Sequence, residues 1–541
     1  MRRFLALTVA IAAVSTSAAT LPKDNRAIVH VLSRMGFGLR PGDVEKVRAM
    51  GLQRYVDEQL HPERIPDAAM ASRLAGLTTI GMSSRQIAEQ FELPQLEARR
   101  QRKLEGKDDP VPGDGKPPDA MQQRAMSVMV ELSQQKLLRA VYSDRQLQEV
   151  LTDFWFNHFN VDARKGRDRF LLTEYEREAI HPRVLGTFRD LLGATAKSPA
   201  MLFYLDNWMS SAGAGPDVGP AGPDFDLAPG MVRPRAGRGG FGRGRSGSDS
   251  GRPGPDFNLA LRRQGLNENY GRELMELHTL GVDGGYTQQD VTEVARALTG
   301  WTLDNPRQGG GFRFDARLHD TAQKVVLGHV IKAGGGESDG QQVLDILAAH
   351  PATATFIATK LTRRFVSDTP PPALVERVAA RFRITGGDLR EVMRTILTSP
   401  EFLSPDAYRA KVKTPFEFVV SALRATGADV QDARPLVREL QQLGMPLYQC
   451  QPPTGYKDTG DAWVNTGALV SRMNLAVRLA SDQVRGTRIR SPESAIRDPQ
   501  SVIRDLLNGE ASETTRATIG KAAEAPQMMA LTLGSPEFQR R

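Results

Sequence analysis

The sequence predicts a mostly α fold: one multi-helix body with long irregular loops and few short strands. Three observations predict it. Apolar residues recur at i, i+3, i+4 and i+7 in several segments, the spacing that gives a helix one apolar face. Helix start and stop signals punctuate those segments. Alternating patterns of the kind a half-buried strand needs are scarce, and Lys324-Val-Val-Leu-Gly328 is among the few candidates.

The first element, residues 1–19, is an address rather than structure. Arg2 and Arg3 precede the apolar run Phe4 to Val14, and Ser17-Ala18-Ala19 offers a small-x-small cleavage site. This is the three-part pattern of a secretory signal peptide. The run is too short to span a bilayer, which takes about 20 residues. No later segment holds an unbroken apolar stretch of that order, so no transmembrane segment is expected in the mature chain. The expected location is periplasmic or secreted.

Residues 20–210 are expected to form an N-terminal helical part. Within it, Leu104 to Gln122 is polar and rich in Pro and Gly, and is expected to be irregular. Ser143-Asp-Arg-Gln146 has the spacing of a capping box. The helix it would open carries Leu147, Val150, Leu151, Phe154, Trp155, His158 and Phe159 on one face. Residues 211–256 hold 13 Gly, 7 Pro and 6 Arg with only two aromatics, Phe225 and Phe241. Such a segment cannot bury enough apolar surface to offset its ordering entropy, so it is expected to be a disordered insertion.

Residues 257–541 are expected to form the C-terminal helical part of the same body. Thr287-x-x-Asp290 opens one capped helix through Val291, Val294, Ala295 and Leu298. Thr414-Pro415 opens another, with Phe416, Val419, Val420 and Leu423 as its apolar face and Gly427 as its stop. Ser198-Pro199, His350-Pro351, Ser399-Pro400 and Ser535-Pro536 mark helix starts or breaks, because Pro has no N–H to lose in a first helical turn.

Composition bounds the function. Of 541 residues, 71 are Lys or Arg and 63 Asp or Glu, a formal net charge of +8 that falls to +6 once Arg2 and Arg3 are removed. That is no dense basic footprint, and the Arg/Gly stretch nets only +1 against its five Asp, so no nucleic-acid partner is expected. Gly237-Arg-Gly-Gly-Phe-Gly242 matches a dinucleotide fingerprint only formally, with no strand before it and no helix after. The loop 281–287 resembles a calcium loop, but Val294 stands where a bidentate Glu is required. Cys450 is the sole cysteine, so any metal site must be built from His, Asp, Glu and Asn.

What remains is a set of polar residues on apolar helix faces. His158 interrupts one such face. In Asn267 to His278, a rotation of about 100° per residue puts Asn267, Tyr270, Glu273, Leu274, Leu277 and His278 on one arc, with Arg272 and Glu276 as i, i+4 partners on another. Buried Asn, Glu and His must be satisfied by hydrogen bonds, charges or a ligand. The candidate catalytic set is therefore His158, Asn267, Arg272, Glu273 and His278: an imidazole as acid/base group, Glu273 as its partner and Arg272 as an anion clamp. His158, Glu273 and His278 form the candidate ligand set for a divalent metal ion. The proline-rich stretch from Leu443 through Tyr448 and Tyr456 to Trp463 is either a groove lining or a loop packed onto the body.

Several stretches together resemble the bacterial family catalogued as domain of unknown function 1800. They include His30 to Gly38, Phe154-Trp-Phe-Asn-His-Phe159, Pro199 to Asp206, Gly265 to Tyr286, Ala297 to Trp301, His350 to Ala354, Gly444 to Tyr456 and the Ser-Pro-Glu-Phe tail. The resemblance implies a mostly helical, exported protein, often encoded beside a sulfatase-like exported partner; it implies no activity. Two positions depart from the family's pattern: Phe156 stands where a His is common, and Tyr456 where a Trp is common. Two readings stay open: an exported metal-dependent or acid/base enzyme, and a non-catalytic envelope protein that binds or assembles a surface polymer or partner protein.

Overall fold

The computed structural model describes residues 21–22, 24–106, 120–212, 265–489 and 498–541. The segment expected to be a signal peptide and residues 213–256 of the expected insertion lie outside the described residues. The protein is mostly helical. Most buried apolar residues from Leu21 to Phe538 form one continuous cluster, with Trp155, Leu274, Ile357, Phe416 and Leu533 among its members, and Ile87, Phe91, Ala125, Val128 and Phe170 form a second, smaller one. No described helix is long and apolar enough to cross a membrane.

Among the described residues the strands make three two-stranded antiparallel ladders. Lys324–Val326 pairs with His329–Ile331, as the candidate strand at this point anticipates. Its two-residue turn has both central residues at positive φ, Leu327 at 50° and Gly328 at 79°, which matches the twist of the flanking strands.

The helix Gln146–His158 lies at the centre. It buries nearly every side chain rather than one face, the signature of a helix enclosed on all sides. The capping boxes at Thr287/Asp290 and Thr414/Glu417 both form. The one expected at Ser143/Gln146 does not. Gln146 turns its amide instead onto the carbonyls of Ala140 and Ser143 and accepts from Phe37 N–H, tying the end of the preceding helix to the N-terminal segment. Of the stretch 104–122 expected to be irregular, residues 107–119 lie outside the described residues, and its last three belong to the helix Ala120–Tyr142, 23 residues long.

The Ser-Pro marks share a physical role. Phe188–Ala196, Leu389–Leu397 and Ala525–Gly534 each end just before one. At Ser399 and Ser535 the hydroxyl accepts from the N–H three residues on, folding Phe402 and Phe538 into the core. The first two helices also join reciprocally at their starts, Phe188 N–H to Gly387 O at 2.8 Å and Leu389 N–H to Gly186 O at 2.9 Å.

Candidate functional site

The central helix ends at His158, and its last turn is where distant parts of the chain converge. The His158 Nε2–H donates to the carbonyl of His278 at 3.1 Å. A carbonyl only accepts, so the proton sits on Nε2 and Nδ1 is left as an acceptor. The amine of Lys360, on the helix Pro351–Phe365, donates to that Nδ1 at 2.8 Å. Trp155 and Phe159 meet the imidazole edge-on at 5.3 and 4.4 Å between ring centres. The pair thus sits in a largely aromatic wall.

Burial sets the protonation states. It depresses His158 well below its ordinary value, with the Lys360 cation and then His278 adding to the effect. It takes His278 down to about 3, with Lys360 again contributing. Burial also brings Lys360 down to about 8, against the opposing pull of Asp458. At neutral pH two neutral imidazoles therefore flank an amine close to its own titration point.

A cavity of about 260 Å³ opens on His158 and Lys360. Its roof is the proline-rich loop, held by the helix end. Asn157 donates to Tyr456 O at 2.8 Å and accepts from Tyr456 N–H at 2.7 Å. Asn160 donates to Cys450 O and Pro452 O, both at 2.9 Å. Gly455, at φ +74°, comes so near that a Cβ there would stand 2.2 Å from Asn157 O. The loop is accordingly both groove lining and packed onto the body.

Two of the cavity's cations, unlike Lys360, have carboxylate partners. Lys136 meets Asp153 at 2.8 Å, and Arg364 meets Glu417 at 2.7 Å and Asp458 at 3.3 Å. Phe156, the position where a His is common, packs against Tyr448 at 4.9 Å and beneath the Lys136 cation.

The other sequence candidates fall elsewhere or do different work. Asn267 caps the helix Glu268–Glu276, accepting from Tyr270 N–H and donating to Leu205 O. Arg272 donates to Gln288 at 2.6 Å, and Glu276 accepts from Tyr286, so each is engaged away from the other. The Glu273 carboxyl is half-buried and raised by burial and by Glu276, and the residue reaches His278 only through its backbone carbonyl, 3.1 Å from His278 N. Among the described residues, no three His, Cys, Asp or Glu side chains group as a metal ion requires. His158, Glu273 and His278 do not fit a divalent ion: both His158 nitrogens are engaged, and the nearest charge to them is a cation. Sequence reasoning missed Lys360. Its one signal is a charged residue near Ile357 and Leu361, on the helix that opens with His350-Pro-Ala-Thr-Ala.

The fold and this cavity together define a mostly helical protein with a charged internal site roofed by a proline-rich loop. Residues 30–540 match the family described as a protein of unknown function (DUF1800), and the chain belongs to that family. Comparison with curated proteins and with solved structures finds no match.

Proposed function

We propose that the chain is an exported acid/base enzyme whose working group is Lys360, positioned by His158. The observation that carries this is the 2.8 Å contact between the Lys360 amine and His158 Nδ1, in a cavity large enough for a small substrate. The His278 carbonyl fixes the imidazole tautomer, and the imidazole in turn aims the amine. An amine near its titration point can give a proton to a leaving group or take one from a substrate at neutral pH. His278 stands by as a neutral imidazole; Asn267, Arg272 and Glu273 support the helix that presents it.

Acylation of the purified protein with acetic anhydride, read by mass spectrometry of the Lys360 peptide across the neutral to alkaline range, tests this. Lys360 should react with a midpoint of about 8. A midpoint at the ordinary lysine value of about 10.4 would remove the proposal.

The second reading, a non-catalytic envelope protein, has one observation in its favour. Leu469, Val470, Met473 and Val477 make an exposed apolar stripe along the helix Thr466–Ala480. The exported, sulfatase-like partner implied by the family would be its occupant. Co-purification from the periplasm should then be lost in Val470→Asp and kept in Lys360→Gln; the opposite pattern favours the enzyme.

A further inference from the structure

A second cavity, about 350 Å³, lies between the helix Asn25–Met35 and the end of the chain. Residues 411–413 and 539–541 run antiparallel along it: Arg541 N–H donates to Lys411 O at 2.9 Å, and Lys413 N–H to Gln539 O at 2.9 Å. This ladder brings Lys413 and Arg541 to the cavity.

Most charges at this cavity have partners. Arg40 meets Asp144 at 2.6 Å, and Arg504 meets Asp505 at 3.2 Å. Arg409 donates to Glu510 O and Leu507 O. Glu537 accepts from Ser512 N–H and Thr515 Oγ–H.

Three buried groups are left over. Lys413 is 6% exposed; its amine lies 3.8 Å above the Phe538 ring and has no hydrogen bond among the described residues. Arg541 is 4% exposed; it forms an ion pair with Glu417 at 3.0 Å and donates Nη2 to Arg364 O, while Nε and Nη1 make no hydrogen bond and are closed off from solvent. His30 is 4% exposed; its Nε2–H donates to Phe402 O at 2.7 Å, so Nδ1 is a free acceptor.

Two buried cationic groups with unused donors, and Glu417 as the carboxylate nearest them, make an electrostatic deficit that a fold does not leave unanswered without cause. We infer that this cavity is a binding site for a small oxyanion, a phosphate or carboxylate group held by the Lys413 amine, with the neighbouring Arg541 cation adding to the attraction. The state of Lys413 agrees: burial, joined by Arg409, Arg472 and Arg541 and opposed by Glu417, brings the amine down to about 7. A bound anion would restore its charge.

Titration calorimetry of the full chain with inorganic phosphate, and separately with acetate, tests the inference. Saturable binding of either is expected in the wild type, and its loss in Lys413→Met. Phosphate alone binding assigns a phosphoryl ligand; acetate binding assigns a carboxylate. No binding of either, or equal binding by Lys413→Met, overturns the site. Phosphate also stabilises proteins without binding a specific site, so a rise in Tm counts only where it exceeds that of Lys413→Met. Protection of Lys413 from acetylation by phosphate in the wild-type protein gives a readout free of any variant's folding. Undiminished acetylation at saturating phosphate would sink the proposal.

Discussion

Among the described residues, two buried histidine–lysine pairs, at His158 and at His319, differ in one group. His319 and Lys324 share a carboxylate: Asp339 Oδ2 lies 3.1 Å from His319 Nε2 and 2.8 Å from the Lys324 amine, with all three side chains fully buried. Lys324 also donates to the carbonyls of Asp320 and Ala322. That cluster is closed, and it fixes the segment between the short ladders. At His158 and Lys360 no carboxylate stands between the two, and a cavity opens instead. The same two residue types make a staple where an anion completes them and a candidate site where none does.

The largest expected effect comes from breaking the staple. Asp339→Ala strands a buried ammonium without its counter-charge, and the cost should be about 3–5 kcal/mol, read by chemical denaturation. A smaller effect comes from the roof of the cavity. Asn157→Ala removes both hydrogen bonds to Tyr456, and a loss of about 1–3 kcal/mol is expected, with Lys360 becoming more open to acylation. Lys360→Met should do the reverse of Asp339→Ala: the amine already sits uneasily in its burial, so stability should hold or rise by about 1 kcal/mol. If Lys360→Met destabilises as strongly as Asp339→Ala, the two places are alike and the comparison fails.

The finest test is the pH dependence of stability. The folded value for Lys360 is about 8, below the unfolded value of about 10.4. Between those values the unfolded chain binds more protons, so this group makes stability rise as pH rises through that window. Subtracting the Lys360→Met curve from the wild-type curve isolates the contribution, and a flat difference would contradict it.

The sequence made the helical class legible through its apolar periodicity and its caps. Thr287 caps as its spacing to Asp290 implies and Thr414 as the following Pro415 implies, because the partners of each cap are local. Ser143 does not, because Gln146 has better use for its amide in tertiary bonds that no local pattern reveals. Half of the candidate site was legible in the same way. His158 and His278 were visible as polar residues among apolar ones, and the structure brings them together. Lys360 was not, because it stands 202 residues from its partner and lysines are common on helices. Asn267 was visible for a local reason, a cap, and Arg272 and Glu276 found nearer partners across the loop. The departure at Phe156 has a plain accommodation, an aromatic ring beneath the Lys136 cation.

The clamp between Asn157 and Tyr456 joins residues 299 apart in the chain. Contacts of such separation form only after the long loop between them has closed, and closing it is entropically slow. The roof of the cavity is therefore among the contacts with the largest loop-closure cost. A growing chain carries His158 and Lys360 well before it carries Tyr456, and until that residue arrives the pair has no enclosed cavity to work in. The enclosure of the pair therefore depends on a segment made after both of its members.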